Sequence, residues 1–191
     1  MRILFELTVF LLLEQTLYSC FSCLTSYNSA IMNQKHPLLI LTAFIVLSFA
    51  TSALGGMIVY ANLQPWYSDL ERGPLSPPNW VFPVVWTVLY ILLPVGTWLG
   101  WRLTEGTTRR SLTIAFLINL ALQLAWTAAF FGIHSPLLGL AFMLAIFVST
   151  LNLYHRLWKL TRLGAELILP QILWLIYAAS LNVSVWALNS F

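Results

Sequence analysis

What most limits this chain is where its charges fall. Beyond residue 36 they sit in short clusters, and the clusters leave five stretches of about twenty residues almost free of charge. That is the length a helix needs to cross the apolar core of a bilayer. Only 8% of the residues are charged, where a soluble domain carries about a quarter. In lipid no water is present to satisfy peptide groups, so each stretch must be a helix. The pattern predicts an all-α membrane protein, a bundle of five transmembrane helices, with spans at about 37–61, 80–101, 111–133, 137–157 and 165–189. Nothing is left over for a separate soluble domain. The net charge of +3 is then read as a topology signal and not as a nucleic-acid footprint.

The basic residues are unequally shared between the two sides of such a bundle. Lys35, Arg102, Arg109, Arg110, Arg156, Lys159 and Arg162 fall on the side of the first span's start. Arg72, near Asp69 and Glu71, stands alone on the other. The positive-inside rule therefore predicts a cytoplasmic N-terminus and a C-terminus on the opposite side.

Residues 1–31 fit this plan poorly. Their apolar run is short and is interrupted by Glu6 and Glu14. Cys20 and Cys23 form a CxxC, but with no further cysteine they cannot build a four-thiolate zinc site. The segment reads as a leader, with Met32 as the true start or residues 1–31 removed.

Between the first two spans lies Trp66 to Tyr90, WYSDLERGPLSPPNWVFPVVWTVLY. Pro74, Pro77, Pro78 and Pro83 fix φ and remove backbone donors, so no ordinary helix is expected before about residue 79. Residues 62–79 are expected to be a stiff aromatic loop that caps the bundle.

Helical periodicity sorts the polar residues onto faces. At about 100° per residue, Asn119, Gln123 and Trp126 share an arc of roughly 60° on the third span. Ala121, Ala125, Ala128 and Gly132 lie opposite. On the fifth span Gln171, Trp174, Ala178, Asn182 and Asn189 share a face. On the second, Trp86, Tyr90, Pro94, Thr97 and Trp101 do, with Gly96 and Gly100 forming a GxxxG behind them. Ser48, Ser52 and Gly56 make a strip of small residues on the first span, a pattern that lets helices approach closely. Amides facing lipid would cost several kcal/mol, so these faces must turn inward.

Two readings of that interior compete. Asn and Gln can be glue between helices, with Trp as packing, and Asn182 and Asn189 fit this well. Alternatively, interior indoles and amides around the small Ala178 form a cavity that is apolar with a few donors, suited to a flat greasy ligand. Ordinary catalytic sets and metal clusters are missing from the pattern. His36, His134 and His155 all sit at span ends, and His134 reads as a loop residue. A proton-coupled transporter is disfavoured because no ionisable residue lies mid-span.

Four motifs carry a resemblance. WY-x₂-L (Trp66, Tyr67, Leu70), PP-x-WVFPVVWTVLY (Pro77 to Tyr90), N-x₃-Q-x₂-W-x₃-FF (Asn119, Gln123, Trp126, Phe130, Phe131) and P-x₃-W-x₃-A-x₃-N (Pro170, Trp174, Ala178, Asn182) occur in that order. Over about residues 35–190 the chain resembles the TspO/MBR family, the tryptophan-rich sensory proteins related to the mitochondrial translocator protein. The resemblance implies a five-helix bundle, commonly a homodimer, with a pocket beneath the first loop. It implies binding of porphyrins such as protoporphyrin IX, and in some members of sterols and benzodiazepine-type drugs. The tetrapyrrole enters as a ligand, and no cofactor or metal is required. Carried over by position, the ligand-binding residues are Tyr67, Trp86, Tyr90, Asn119, Gln123, Trp126, Trp174 and Ala178. The implied function is a membrane receptor or carrier in tetrapyrrole traffic, metabolism or stress sensing. The alternative is a light- and oxygen-dependent porphyrin-degrading enzyme, with Trp86 and Trp174 as electron donors. Gln123 stands where many relatives have Asn or a small polar residue. The chain has no basic residue after Tyr177, so the sterol motif of animal members is missing.

Overall fold

The computed structural model describes residues 37–189. The leader, the Cys20–Cys23 pair, the Met32 start, Lys35 and His36 lie outside the described residues. The architecture is all-helical, and five helical stretches are long and apolar enough to span a membrane. The elements are α1 (Pro37–Asn62), α2 (Val81–Trp101), α3 (Gly106–Thr127), α4 (Pro136–Trp158), α5 (Arg162–Glu166) and α6 (Leu169–Leu188). Short π-type turns, Leu63–Tyr67 and Ala128–Gly132, extend α1 and α3. The fifth span is α5 and α6 together, with Pro170 in the first turn of α6, where a missing N–H costs nothing.

Hydroxyls and amides solve the same problem differently. Thr42, Thr51, Thr87, Thr97, Thr113, Thr127 and Thr150 each donate to the carbonyl four residues earlier on their own helix. That local bond lets a hydroxyl sit anywhere around a helix in lipid. Most amides lack this outlet and must find partners across the bundle.

The half of the bundle near Arg102, Arg109 and Arg156 is solidly packed. Leu93, Leu112, Phe116, Leu153, Leu157, Ala165 and Ile168 form its core, and Phe44 of α1 stacks on Phe116 at 4.8 Å. Arginines edge this end over indole rings: Arg102 on Trp98 at 4.7 Å, Arg109 on Trp101 at 4.2 Å and Arg162 on Trp158 at 4.7 Å. Gly96 and Gly100 face into this half. A Cβ on Gly96 would lie 2.6 Å from the Gly164 carbonyl, and one on Gly100 would collide with Leu157. The GxxxG therefore lets α2 approach α5 within the chain, and it is not free to pair with a second copy.

Two boundaries differ from expectation. The chain stays helical to Tyr67, with one break at Gln64 (φ −123°, ψ 136°), so the first loop is shorter than 62–79. Tertiary contacts hold the extra turn: Trp66 stacks on His134 at 4.3 Å and meets Phe130 edge-on at 5.6 Å. The third span begins at Gly106 and not at 111, because the polar Thr-Thr-Arg-Arg turn continues the helix outward.

Candidate functional site

The loop-end half of the bundle holds a cavity of about 470 Å³. Its walls come from α1, the first loop, α2, α3 and α6; α4 supplies none of them. Seven of the eight residues singled out from sequence line it: Tyr67, Trp86, Tyr90, Gln123, Trp126, Trp174 and Ala178. Aromatic rings are prominent among the lining side chains. Trp86 lies 6.0 Å from Trp126 and 5.8 Å from Tyr90, Trp126 stacks on Phe130 at 5.9 Å, and Phe82 meets Trp174 at 6.1 Å.

Asn119 is the exception. It shares a face with Gln123 but sits one turn deeper, beneath the cavity floor, with no exposed surface. Its Nδ2 donates to Thr150 Oγ1 at 2.9 Å and Ser149 Oγ at 3.3 Å. Its Oδ1 accepts from Gln123 Nε2 at 2.7 Å and Gln171 Nε2 at 3.3 Å. Three helices are thus tied together by one amide. Gln123 spends its donor on this network while its side chain forms part of the floor.

Within this network Gln171 Oε1 alone is left buried without a partner, and above the floor unpartnered atoms dominate. The indole Nε1 atoms of Trp126 and Trp174, and both Nδ2 and Oδ1 of Asn182, are buried without a hydrogen-bond partner. All three residues face the cavity. Leaving one such group unpaired costs about 1–3 kcal/mol, and three residues with such groups line this one cavity. The expectation that Asn182 is interhelical glue is therefore corrected. Gly139 of α4 lies against the Asn182 amide, where a Cβ would come within 3.1 Å of Nδ2, and neither polar atom of Asn182 finds a partner.

Asn189 is corrected too. It does not join two helices but clamps the lid. Its Oδ1 accepts from the Glu71 N–H at 3.0 Å and its Nδ2 donates to the Glu71 carbonyl at 3.0 Å. Tyr177 Oη donates to the Leu75 carbonyl at 2.7 Å, and Gly73 presses against Ser184. The loop is thereby fastened along α6. His134, outside the lining, is held with its Nε2 2.8 Å from Asn62 Oδ1.

Sequence reasoning missed several lining residues. Arg72, Asn79 and Asn182 line the cavity, as do Ser52 and Gly56 of the small-residue strip and the neighbouring Gly55. Gly56 has nothing within 4 Å of a built Cβ, so this part of the strip forms cavity wall and not a tight helix contact. Tyr60, 83% exposed, and the exposed Thr87 line it as well, which means the cavity opens sideways between α1 and α2. No group of three or more His, Cys, Asp or Glu side chains that could hold a metal occurs among the described residues.

A model of the TspO/MBR family matches residues 43–187. The chain belongs to the TspO/MBR family. It is similar to the tryptophan-rich protein TspO of Archaeoglobus fulgidus, 29% identical over 154 residues that cover 78% of this chain and 97% of the relative. It is similar to protein CrtK of Rhodobacter capsulatus, 31% identical over 150 residues, 78% of this chain and 94% of the relative. The human translocator protein is 29% identical over 138 residues, 71% of this chain and 82% of that protein. Membership and the five apolar helices together make this TspO/MBR protein an integral, multi-pass membrane protein.

Proposed function

We propose that this TspO/MBR protein is a membrane receptor or carrier for flat, largely apolar ligands of the tetrapyrrole class, taken into the aromatic cavity. One observation carries the reading: Trp126, Trp174 and Asn182 present buried, unpartnered polar atoms inside a wall of aromatic rings. A volume of about 470 Å³ falls within the roughly 300–1,000 Å³ of small-molecule pockets. Stacking on Trp86 and Trp126 suits a planar guest, and the unpaired donors suit ring substituents or nitrogens. The lateral opening supports uptake from the bilayer, where apolar ligands concentrate.

The asymmetry of basic residues supports an N-terminus on the cytoplasmic side, with the cavity toward the opposite face. A homodimer would use the Ala121, Ala125 and Ala128 face of α3, since Gly96 and Gly100 are occupied within the chain and Gly132 lies against Ile58 of α1.

Titration of the full chain in nanodiscs with protoporphyrin IX tests the reading through Trp fluorescence. Saturable quenching is expected, weakened about tenfold or more by Trp86→Ala and little changed by Trp158→Ala, which lies at the far end. Equal losses in both variants, or no quenching, would overturn it. Porphyrin absorbance that persists under illumination supports the carrier; light-dependent bleaching lost in Trp86→Phe and Trp174→Phe would replace it with a degrading enzyme.

A further inference from the structure

We propose that Arg72 makes the cavity selective for flat apolar acids, holding a ligand carboxylate at the mouth while the ring body lies among the tryptophans. This rests on the cavity being a ligand site and adds the charge of the ligand to that reading.

Arg72 is the one charged residue among those lining the cavity. Its guanidinium stands over the Tyr67 ring, 5.4 Å from the centroid, and its Nη1 donates to Asn79 Oδ1 at 2.7 Å. Both contacts are to neutral groups. Asp69 and Glu71 are close in sequence, yet no carboxylate among the described residues pairs with Arg72. A guanidinium carries five N–H donors in a planar fork, so those not directed at Asn79 remain for an acceptor, and a carboxylate matches them best.

The position of this cation is fixed from behind. Asn189 grips both backbone groups of Glu71, and Gly73 lies against Ser184. Arg72 is therefore flanked on both sides by residues fastened to α6. A cation held in place before binding loses little freedom when the ligand arrives. The deep end of the cavity offers only neutral donors and acceptors, from Trp126, Trp174 and Asn182. An acid edge is thus favoured at the mouth and disfavoured at depth, where burying an unpaired carboxylate is costly. Cationic ligands meet a like charge at the entrance.

The test compares acids with their own esters. Mesoporphyrin IX and its dimethyl ester form one pair, pyrenebutyric acid and its methyl ester the other, each titrated into the full chain in neutral-lipid nanodiscs. The acid of each pair is expected to bind about tenfold tighter, a charge-assisted hydrogen bond discounted for partial solvation. High salt narrows the gap. Arg72→Gln should bring acid and ester level, and Arg72→Lys should keep part of the difference. If both porphyrins fail to bind while the pyrene pair keeps an Arg72-dependent gap, the tetrapyrrole reading falls and the acid selectivity stands. If ester equals acid in the unmodified protein for both pairs, or the gap survives in Arg72→Gln, the assignment is overturned.

Discussion

The two halves of the bundle use the same materials to opposite ends. Near the basic end, Asn119, Gln123, Gln171 and Thr150 bind one another across α3, α4 and α6, in an interior filled by Phe116, Leu153 and Ile168. Near the loop end, Asn182, Trp126 and Trp174 occupy equally inward faces with unpaired atoms around a void. A polar side chain inside a membrane protein is therefore not one kind of thing. Where a neighbouring helix brings a partner to the same depth, the amide holds helices together. Where it does not, the amide's hydrogen-bonding capacity is left unused.

Three substitutions of asparagine would break or sharpen this contrast. Asn119→Leu should be the most damaging. It removes the acceptor for both Gln123 and Gln171, leaving Gln171 Nε2 only its longer contact to Thr150 Oγ1 at 3.4 Å. A loss of about 2–3 kcal/mol is expected, read by unfolding in mixed micelles. A change near zero would mean the network contributes nothing and the contrast is false.

Asn189→Ala should come next. It cuts two hydrogen bonds between α6 and the lid at Glu71. Stability should fall by about 1 kcal/mol, and dissociation of a bound porphyrin should quicken several-fold in stopped-flow fluorescence. Unchanged dissociation would show that the loop plays no part in retaining a ligand.

The smallest effect on folding is expected from Asn182→Leu. Neither of its side-chain polar atoms has a partner to lose, so stability should stay within about 0.5 kcal/mol or rise. Porphyrin affinity should nonetheless drop by about tenfold. Destabilisation matching that of Asn119→Leu would place Asn182 in a structural network after all.

Most of the architecture could be read from the chain. All five spans were located by their lack of charge, and helical phase selected the faces that surround the cavity. The errors share one origin. Periodicity gives the direction a side chain points around its own helix, but not its depth relative to the next helix. Asn119 and Gln123 therefore looked alike, although one lies beneath the floor and the other forms it. Asn182 and Asn189 looked like glue, although one finds no hydrogen-bond partner and the other reaches the lid. The GxxxG of α2 gave no sign of its partners, which are Gly164 of α5 against Gly96 and Leu157 of α4 against Gly100. Proline counting likewise placed the first loop too early, because the contact of Trp66 with His134 holds one further helical turn.

What the sequence alone determined is the five-helix membrane body: uncharged runs of this length have no other way to satisfy their peptide groups in lipid. The tertiary structure decided which buried amides are satisfied and which are left open. That depends on what lies opposite at the same level of the bilayer, and the offset between neighbouring helices is set only when they pack.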